Sequence, residues 1–109
     1  MSTKFHSLLI LPFDFAAYKE VYALWQSCEG VGLSSADKPE NIAAYLEHNP
    51  GMSFLALDGE DIVGAVLGGH DGRRGYIHHL AVQENYRRQE IGRRLVEHCL
   101  AALKKEGIQ

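Results

Sequence analysis

The sequence predicts an α+β fold with the element order β-α-α-β-β-β-α and a mainly antiparallel sheet. Three observations carry this reading. Two segments in the first half space their apolar residues as helices do. Three short apolar runs follow, separated by turns containing Asp-Gly. From Ile91 onward the apolar residues recur at intervals of four and three, the mark of an amphipathic helix.

Phe5 to Leu11 (FHSLLIL) reads as the first strand, ended by Pro12. Phe15 to Cys28 carries Phe15, Tyr18, Val21, Tyr22 and Trp25 at helical spacing, with Trp25 in the core. Gly30 and Gly32 break that helix, and Val31–Lys38 reads as a polar loop. Pro39 suits the first turn of a second helix, which turns Ile42, Ala43, Tyr45 and Leu46 inward and stops at Asn49-Pro50-Gly51. Ser53–Leu57 and Ile62–His70 are strands flanking the turn Asp58-Gly59-Glu60-Asp61. Asp71-Gly72 then favours a tight hairpin into the strand Gly75–Val82. The last helix places Ile91, Leu95, Cys99 and Ala102 on one stripe, with Val96, Leu100 and Leu103 beside it, and Gly107 ends it.

Composition narrows the function classes. With 109 residues the chain fits one domain, 1–109, and 46% apolar with 23% charged residues is the balance of a folded globular protein. No apolar run is long enough to cross a bilayer, and Met1-Ser2-Thr3-Lys4-Phe5 does not begin a secretory signal. Cys28 and Cys99 are too few and too far apart for a disulfide framework or a zinc site, so a reduced, cytoplasmic protein without metal is expected. The net charge of −3 hides an asymmetry: residues 1–72 carry a balance of −7, whereas residues 73–105 carry +5. The basic third suggests an anionic ligand nearby, or simply a solvated helix face.

The stretch His78–Leu100 joins a strand to the arginine-rich turn Arg87-Arg88-Gln89-Glu90-Ile91-Gly92 and then to a helix. N–H groups at a helix N-terminus lack intrahelical partners and sit at the positive end of the dipole, which suits a phosphate. The pattern Arg87-x-x-Glu90-x-Gly92, with Leu80-Ala81-Val82 and Tyr86 before it, resembles the core motif of the GNAT superfamily of N-acetyltransferases. The order of elements resembles that family across essentially the whole chain. The resemblance implies a layered α/β/α domain and acetyl-CoA as cosubstrate. By position, the amides of Gln89, Glu90, Ile91, Gly92 and Arg93, aided by Arg87 and Arg88, would face the pyrophosphate. The strand Leu80-Ala81-Val82 would pair with the pantetheine arm through main-chain groups of Leu80 and Val82.

Two departures from the family pattern stand out. Glu90 occupies the place of the motif's first glycine, which sets a side chain and a carboxylate near the phosphates. The family fold also continues with a strand, a helix and two more strands that supply a thioester-side tyrosine, and none of these follows Gln109 here. The chain is therefore expected to be cut short at its C-terminal side, or to be half of a homo-oligomer that covers the exposed sheet edge.

Acetyl transfer to an amine requires a proton acceptor, because a lysine-type amine with a pKa of about 10.4 is almost wholly protonated at neutral pH. His78 and His79 are the histidines nearest the motif. Neighbours on a regular strand point to opposite faces, so only one is expected to reach a given cleft and the pair is not expected to chelate a metal. The resemblance favours His78, which matches a proton-removing histidine in the arylalkylamine branch. Tyr76 shares its face. Read from the residues alone, His78 better suits a half-buried strand position with a satisfied hydrogen bond than a catalytic one, and His79 reads as structural. Glu29, Ser34 and Ser35 lie where the family shapes its acceptor pocket, although a plain solvated loop fits them as well. His98 reads as surface and Cys99 as core.

The expected function is thus transfer of an acetyl group to a small-molecule or protein amine, with the acidic first part favouring a cationic one. A non-catalytic acyl-CoA-binding or sensing module is the alternative, motivated by Glu90 and by the expected lack of the C-terminal region. Nucleic acid and membrane are not expected as partners, since the net charge is negative and the basic residues gather at a motif that already has a phosphate to hold.

Overall fold

The computed structural model describes residues 8–28, 30–87 and 90–108. The expected order of elements is present. Strand β1 (Leu8–Pro12) leads through a 3-10 turn (Phe15–Ala17) into helix α1 (Tyr18–Ser27). A second 3-10 turn (Ser35–Asp37) precedes helix α2 (Pro39–His48). Strands β2 (Phe54–Asp58), β3 (Asp61–His70) and β4 (Gly75–Val82) then lead through a 3-10 turn (Glu84–Tyr86) to helix α3 (Ile91–Lys105). The four strands form one antiparallel sheet in the order β1-β2-β3-β4, so β1 and β4 are its edges.

The sheet is sandwiched between helices, and strand alternation, shifted by one residue where Val63 is left unpaired between Gly64 and Ile62, decides which side chain meets which layer. Leu55, Ala65, Leu67 and Ala81 pack with Val21, Leu24 and Trp25 of α1 and Ile42 of α2. Phe54, Ala56, Val63 and Val66 pack on the opposite face with Ile91, Leu95 and Cys99 of α3. The layered α/β/α arrangement follows.

Local signals hold where they were strongest. Pro39 is the first residue of α2. Gly107 ends α3 in the left-handed region, at φ 82°. The Ile108 N–H then bonds the Leu103 carbonyl and the Gly107 N–H that of Lys104, satisfying carbonyls that the helix leaves open.

Other expectations need correction. The strand expected from Phe5 includes Pro12 within β1, an edge strand where a missing N–H is tolerated; residues 5–7 lie outside the described part. The helix expected from Phe15 begins as a 3-10 turn, with Phe15 exposed and Phe13 buried in its place. The hairpin after β3 is a four-residue loop, since His70 pairs with Gly75. Asp71 closes it by accepting the N–H groups of Arg73 and Arg74. On α3 the buried stripe is Ile91, Leu95, Cys99 and Leu103, a strict interval of four, while Leu100 is 54% exposed and Ala102 only partly covered.

Candidate active site

Opposite the α1–α2 connection, β4 departs from regular pairing. Ala65 pairs with Ala81 and Leu67 with His78, so His79 and Leu80 together oppose Val66. This is a β-bulge, and His79 takes up its extra residue in the left-handed region, at φ 52°. The consequence overturns the expectation of opposite faces. His78 and His79 both line one cleft of about 460 Å³, together with Gly32, Ser34, Ala36, Asp37, Asn41, Ile42, Tyr45 and Leu67.

The α1–α2 connection is more than a solvated loop. Ser34 caps the turn Ser35–Asp37, its Oγ accepting the Ala36 N–H at 3.2 Å. Asp37 returns the bond, its Oδ2 accepting the Ser34 N–H at 3.0 Å. The pattern Ser34-x-x-Asp37 is that of a capping box, a signal present in the sequence that sequence reading passed over. Asp37 is 4% exposed, and its Oδ1 lies 2.8 Å from His79 Nε2. Trp25 stands edge-on to the His79 ring, with centroids 5.0 Å apart. The Trp25 indole N–H is buried without a hydrogen-bond partner among the described residues.

His78 has a different setting. It is exposed, its ring stacks on Tyr76 at 6.0 Å and meets Tyr45 edge-on at 6.4 Å. Among the described residues neither of its ring nitrogens has a hydrogen-bond partner. Tyr76 does share the face of His78, yet its hydroxyl donates to Asp71 Oδ2 at 3.0 Å, in the hairpin. That bond raises the Tyr76 pKa, and Asp71, held chiefly by the Arg74 and Arg73 N–H groups, is lowered. Burial, with Cys99 second, raises Tyr45. Of the residues expected at the acceptor pocket, Ser34 lines the cleft. Ser35 does not; its carbonyl accepts from Asn41 Nδ2. Glu29 lies outside the described residues.

The strand-to-helix end of β4 carries the other candidates. Gln83 N–H bonds the Val63 carbonyl, so the neighbouring Val82 carbonyl faces the open edge. Arg87 lies across that edge: its Nε donates to the Val82 carbonyl at 2.9 Å, and its Nη2 reaches Cys28 Sγ at 3.6 Å. Leu80, Ala81, Val82, Arg87 and Cys28 line a second cleft of about 300 Å³. Arg88 and Gln89 lie outside the described residues. Glu90 precedes α3 in the left-handed region, at φ 68° and ψ 12°, a conformation suited to glycine. Its carboxylate swings to Arg93 at 2.7 Å, with both side chains largely in solvent. The first closed bond at this end of α3 runs from Arg94 N–H to the Glu90 carbonyl. The N–H groups of Ile91, Gly92 and Arg93 therefore have no acceptor within the helix.

Gly92 has an ordinary helical φ, and a Cβ built there would touch only Leu80 Cδ2 and Val82 Cγ2, each at 3.8 Å. The position tolerates one carbon and faces β4. Cys99 is fully buried, donates to the Met52 carbonyl, and has its thiol pKa pushed up by burial to about 11; it is a core residue. His98 is at the surface, against Phe54. Among the described residues no group of three or more His, Cys, Asp or Glu side chains is arranged to hold a metal, and no helix is long and apolar enough to cross a membrane.

Comparison with known proteins adds to this geometry. Residues 18–109 match the Acetyltransferase (GNAT) family. An acetyltransferase of Sodalis glossinidius is 34% identical over 80 residues, 72% of this chain and 55% of that protein. One from Photorhabdus laumondii is 30% identical over 89 residues, 82% of this chain and 59% of that protein. The chain thus spans about half the length of these curated relatives. Among solved structures, Ard1 from Thermoplasma volcanium superposes with a TM-score of 0.79 at 18% identity, over 94% of this chain and 67% of its own. The NatC complex bound to Gag peptide and CoA gives 0.77 at 21% identity, over 93% and 71%. At these identities the likeness is one of fold.

Proposed function

The chain belongs to the GNAT family of acetyltransferases, and on that premise we propose that it transfers an acetyl group from acetyl-CoA to a primary amine by direct attack on the thioester. The observation that carries this reading is the bulge in β4. It turns two imidazoles into one cleft while the outer edge of the same strand runs on toward the N-terminus of α3.

The residues present fit the cosubstrate. The open edge of β4 offers main-chain groups of Leu80 and Val82, with Ala81 between them, to the pantetheine amides. The N–H groups of Glu90, Ile91, Gly92 and Arg93 would receive the pyrophosphate, with the positive end of α3 behind them. Arg87, and by sequence Arg88 and Gln89, would add to that site. The Glu90 carboxylate is turned away to Arg93, which reduces its repulsion of phosphate. CoA in the NatC relative supports the same choice of ligand.

Acetyl-CoA supplies the acetyl group as an activated thioester. The chain's task is to position the amine and remove its proton. In the overall exchange a C–N bond forms and a C–S bond breaks. Of the two protons that leave the ammonium nitrogen, one ends on sulfur and the other in solvent. His78 and His79 are the imidazoles available in the cleft to take the proton that leaves the ammonium for solvent, with Tyr76 beside His78. Ser34 shapes the rim, and Glu29 and Ser35 are candidates for contact with the acceptor.

The test is calorimetry with CoA together with thiol release from acetyl-CoA across a panel of amines. Binding with amine-dependent release supports the proposal, and failure to bind CoA refutes it. Binding without release would favour a non-catalytic acyl-CoA module, the reading that Glu90 at the motif position motivates.

A further inference from the structure

We propose that His79, held by Asp37, is the group that takes the proton from the acceptor amine, a role that rests on the acetyl-transfer reading. Four observations converge on it. The bulge gives His79 a left-handed backbone, a conformation that a residue with a Cβ adopts only where the surroundings hold it. Asp37 is buried at 4% exposure and uses both carboxylate oxygens: Oδ2 receives the Ser34 N–H, and Oδ1 sits 2.8 Å from His79 Nε2. Trp25 lies edge-on to the ring at 5.0 Å and fixes its plane. The imidazole is nonetheless 20% exposed and lines the cleft.

The chemistry follows from the tautomer. An ionised Asp37 accepts only, so the neutral ring must carry its proton on Nε2 and keep its lone pair on Nδ1. Nδ1 has no partner among the described residues. It accepts one proton from the ammonium nitrogen, directly or through one water, and the imidazolium that forms gains the carboxylate as counter-ion. The proton then passes to solvent at the mouth of the cleft. His78 has no carboxylate behind it among the described residues and serves as a wall of the cleft.

The titratable groups around His79 come from four elements. They are Asp37 on the turn, Tyr18 and Tyr22 of α1, Tyr45 of α2, and His78 on β4. The Tyr18 hydroxyl is tied to the Asp37 carbonyl and the Tyr45 phenol is raised by burial, so among these groups Asp37 supplies the negative charge near neutral pH. Neutral His79 is the form that can accept the amine's proton.

The test uses the intact chain with acetyl-CoA and three amines: 2-phenylethylamine, spermidine and a peptide with a free N-terminus. His79→Asn is the chosen variant because asparagine tolerates a left-handed backbone. It should lower kcat by about a hundredfold at neutral pH, leave KM for acetyl-CoA unchanged and abolish the acidic limb of the pH profile. The deficit should close as pH approaches the amine's own pKa, about 10 for a lysine-type amine and about 8 for the peptide N-terminus. Asp37→Asn keeps the bond to Ser34 and should reproduce most of the loss. His78→Asn should lower the rate less and keep the acidic limb. Independently of turnover, nitrogen-15 spectra of the imidazoles should show His79 protonated at Nε2 in its neutral form, a preference weakened by Asp37→Asn. An acidic limb retained in His79→Asn but lost in His78→Asn overturns the proposal, as does a neutral His79 protonated at Nδ1. If the wild-type chain releases no thiol with any of the three amines, the acetyl-transfer reading fails and takes the proposal with it.

Discussion

Arg87 Nε donates to the Val82 carbonyl at 2.9 Å, so the arginine that heads the phosphate-type turn is folded onto the strand edge proposed for pantetheine. The two proposed uses of this side chain oppose each other. Swinging out to a phosphate releases the carbonyl, and lying back blocks it.

Arg87→Ala should therefore have effects of opposite sign on two ligands. Affinity for CoA should fall by roughly tenfold, because a charge-assisted bond contributes about 1.5–3 kcal/mol and the bond given up to reach it about 1 kcal/mol. Affinity for pantetheine, which lacks the pyrophosphate, should rise slightly. Calorimetry with both ligands checks this, and a parallel fall in both would mean that Arg87 serves the strand and not the phosphates.

Glu90→Gly should stabilise the fold and tighten CoA binding. A left-handed residue with a Cβ carries a penalty of about 1 kcal/mol or more that glycine lacks. The exposed pair with Arg93 that is lost contributes about 0–1 kcal/mol. Removing the carboxylate also lowers repulsion at the phosphate site. Urea denaturation and calorimetry read the two effects separately; weaker binding would assign Glu90 a positive role.

At Gly92 the size of the substituent should matter in steps. Gly92→Ala adds one carbon at ordinary contact with Leu80 and Val82, and should fold normally and bind CoA nearly as well. Gly92→Val puts two further carbons toward the same side chains, and should lose CoA binding and at least about 1 kcal/mol of stability. Equal affinity for CoA in both variants would show that the proposed phosphate turn lies elsewhere.

Alkaline pH should expose the burial of Cys99. Its thiol pKa is raised from 9.0 to about 11 because burial penalises the thiolate. The unfolded thiol ionises first, so this contribution is complete below pH 9 and is lost as pH rises toward 11. The loss amounts to about 2–3 kcal/mol. Urea midpoints between pH 8 and 10.5 should fall more steeply for wild type than for Cys99→Ala. The phenols of Tyr18, Tyr76 and Tyr86, also raised, act in the same direction in both proteins and cancel in the comparison, whereas Tyr45 loses only the smaller part of its shift that Cys99 supplies.

The edge beside β4 should make the chain associate. Ile77 and Leu80 are 36% and 42% exposed on the strand, and Leu100 is 54% exposed on α3. An open strand edge beside apolar side chains favours pairing with a further strand or a second copy. Light scattering should show mass rising with concentration, and Ile77→Lys should suppress the rise. A strictly monomeric chain at high concentration would dismiss this proposal.

The sequence by itself determined the elements and their order, because the signals are local. Proline at the start of α2, Asn49-Pro50-Gly51 at its end and Gly107 after α3 act within a turn or two of where they stand. Apolar spacing likewise reports a helix or strand from its own residues. The family motif was legible for a related reason: a phosphate-type turn is one contiguous stretch. The tertiary structure alone decided what the proposed site consists of. That His78 and His79 share a cleft depends on one extra residue in the pairing of β4 with β3, which alternation along a single strand does not reveal. That Asp37 backs His79, besides closing its own turn, depends on two segments 42 positions apart coming into contact. Arg87 on Val82 and Glu90 on Arg93 depend on how the chain leaves the sheet and enters α3. Register and packing are properties of pairs of segments, and no single segment encodes its partner.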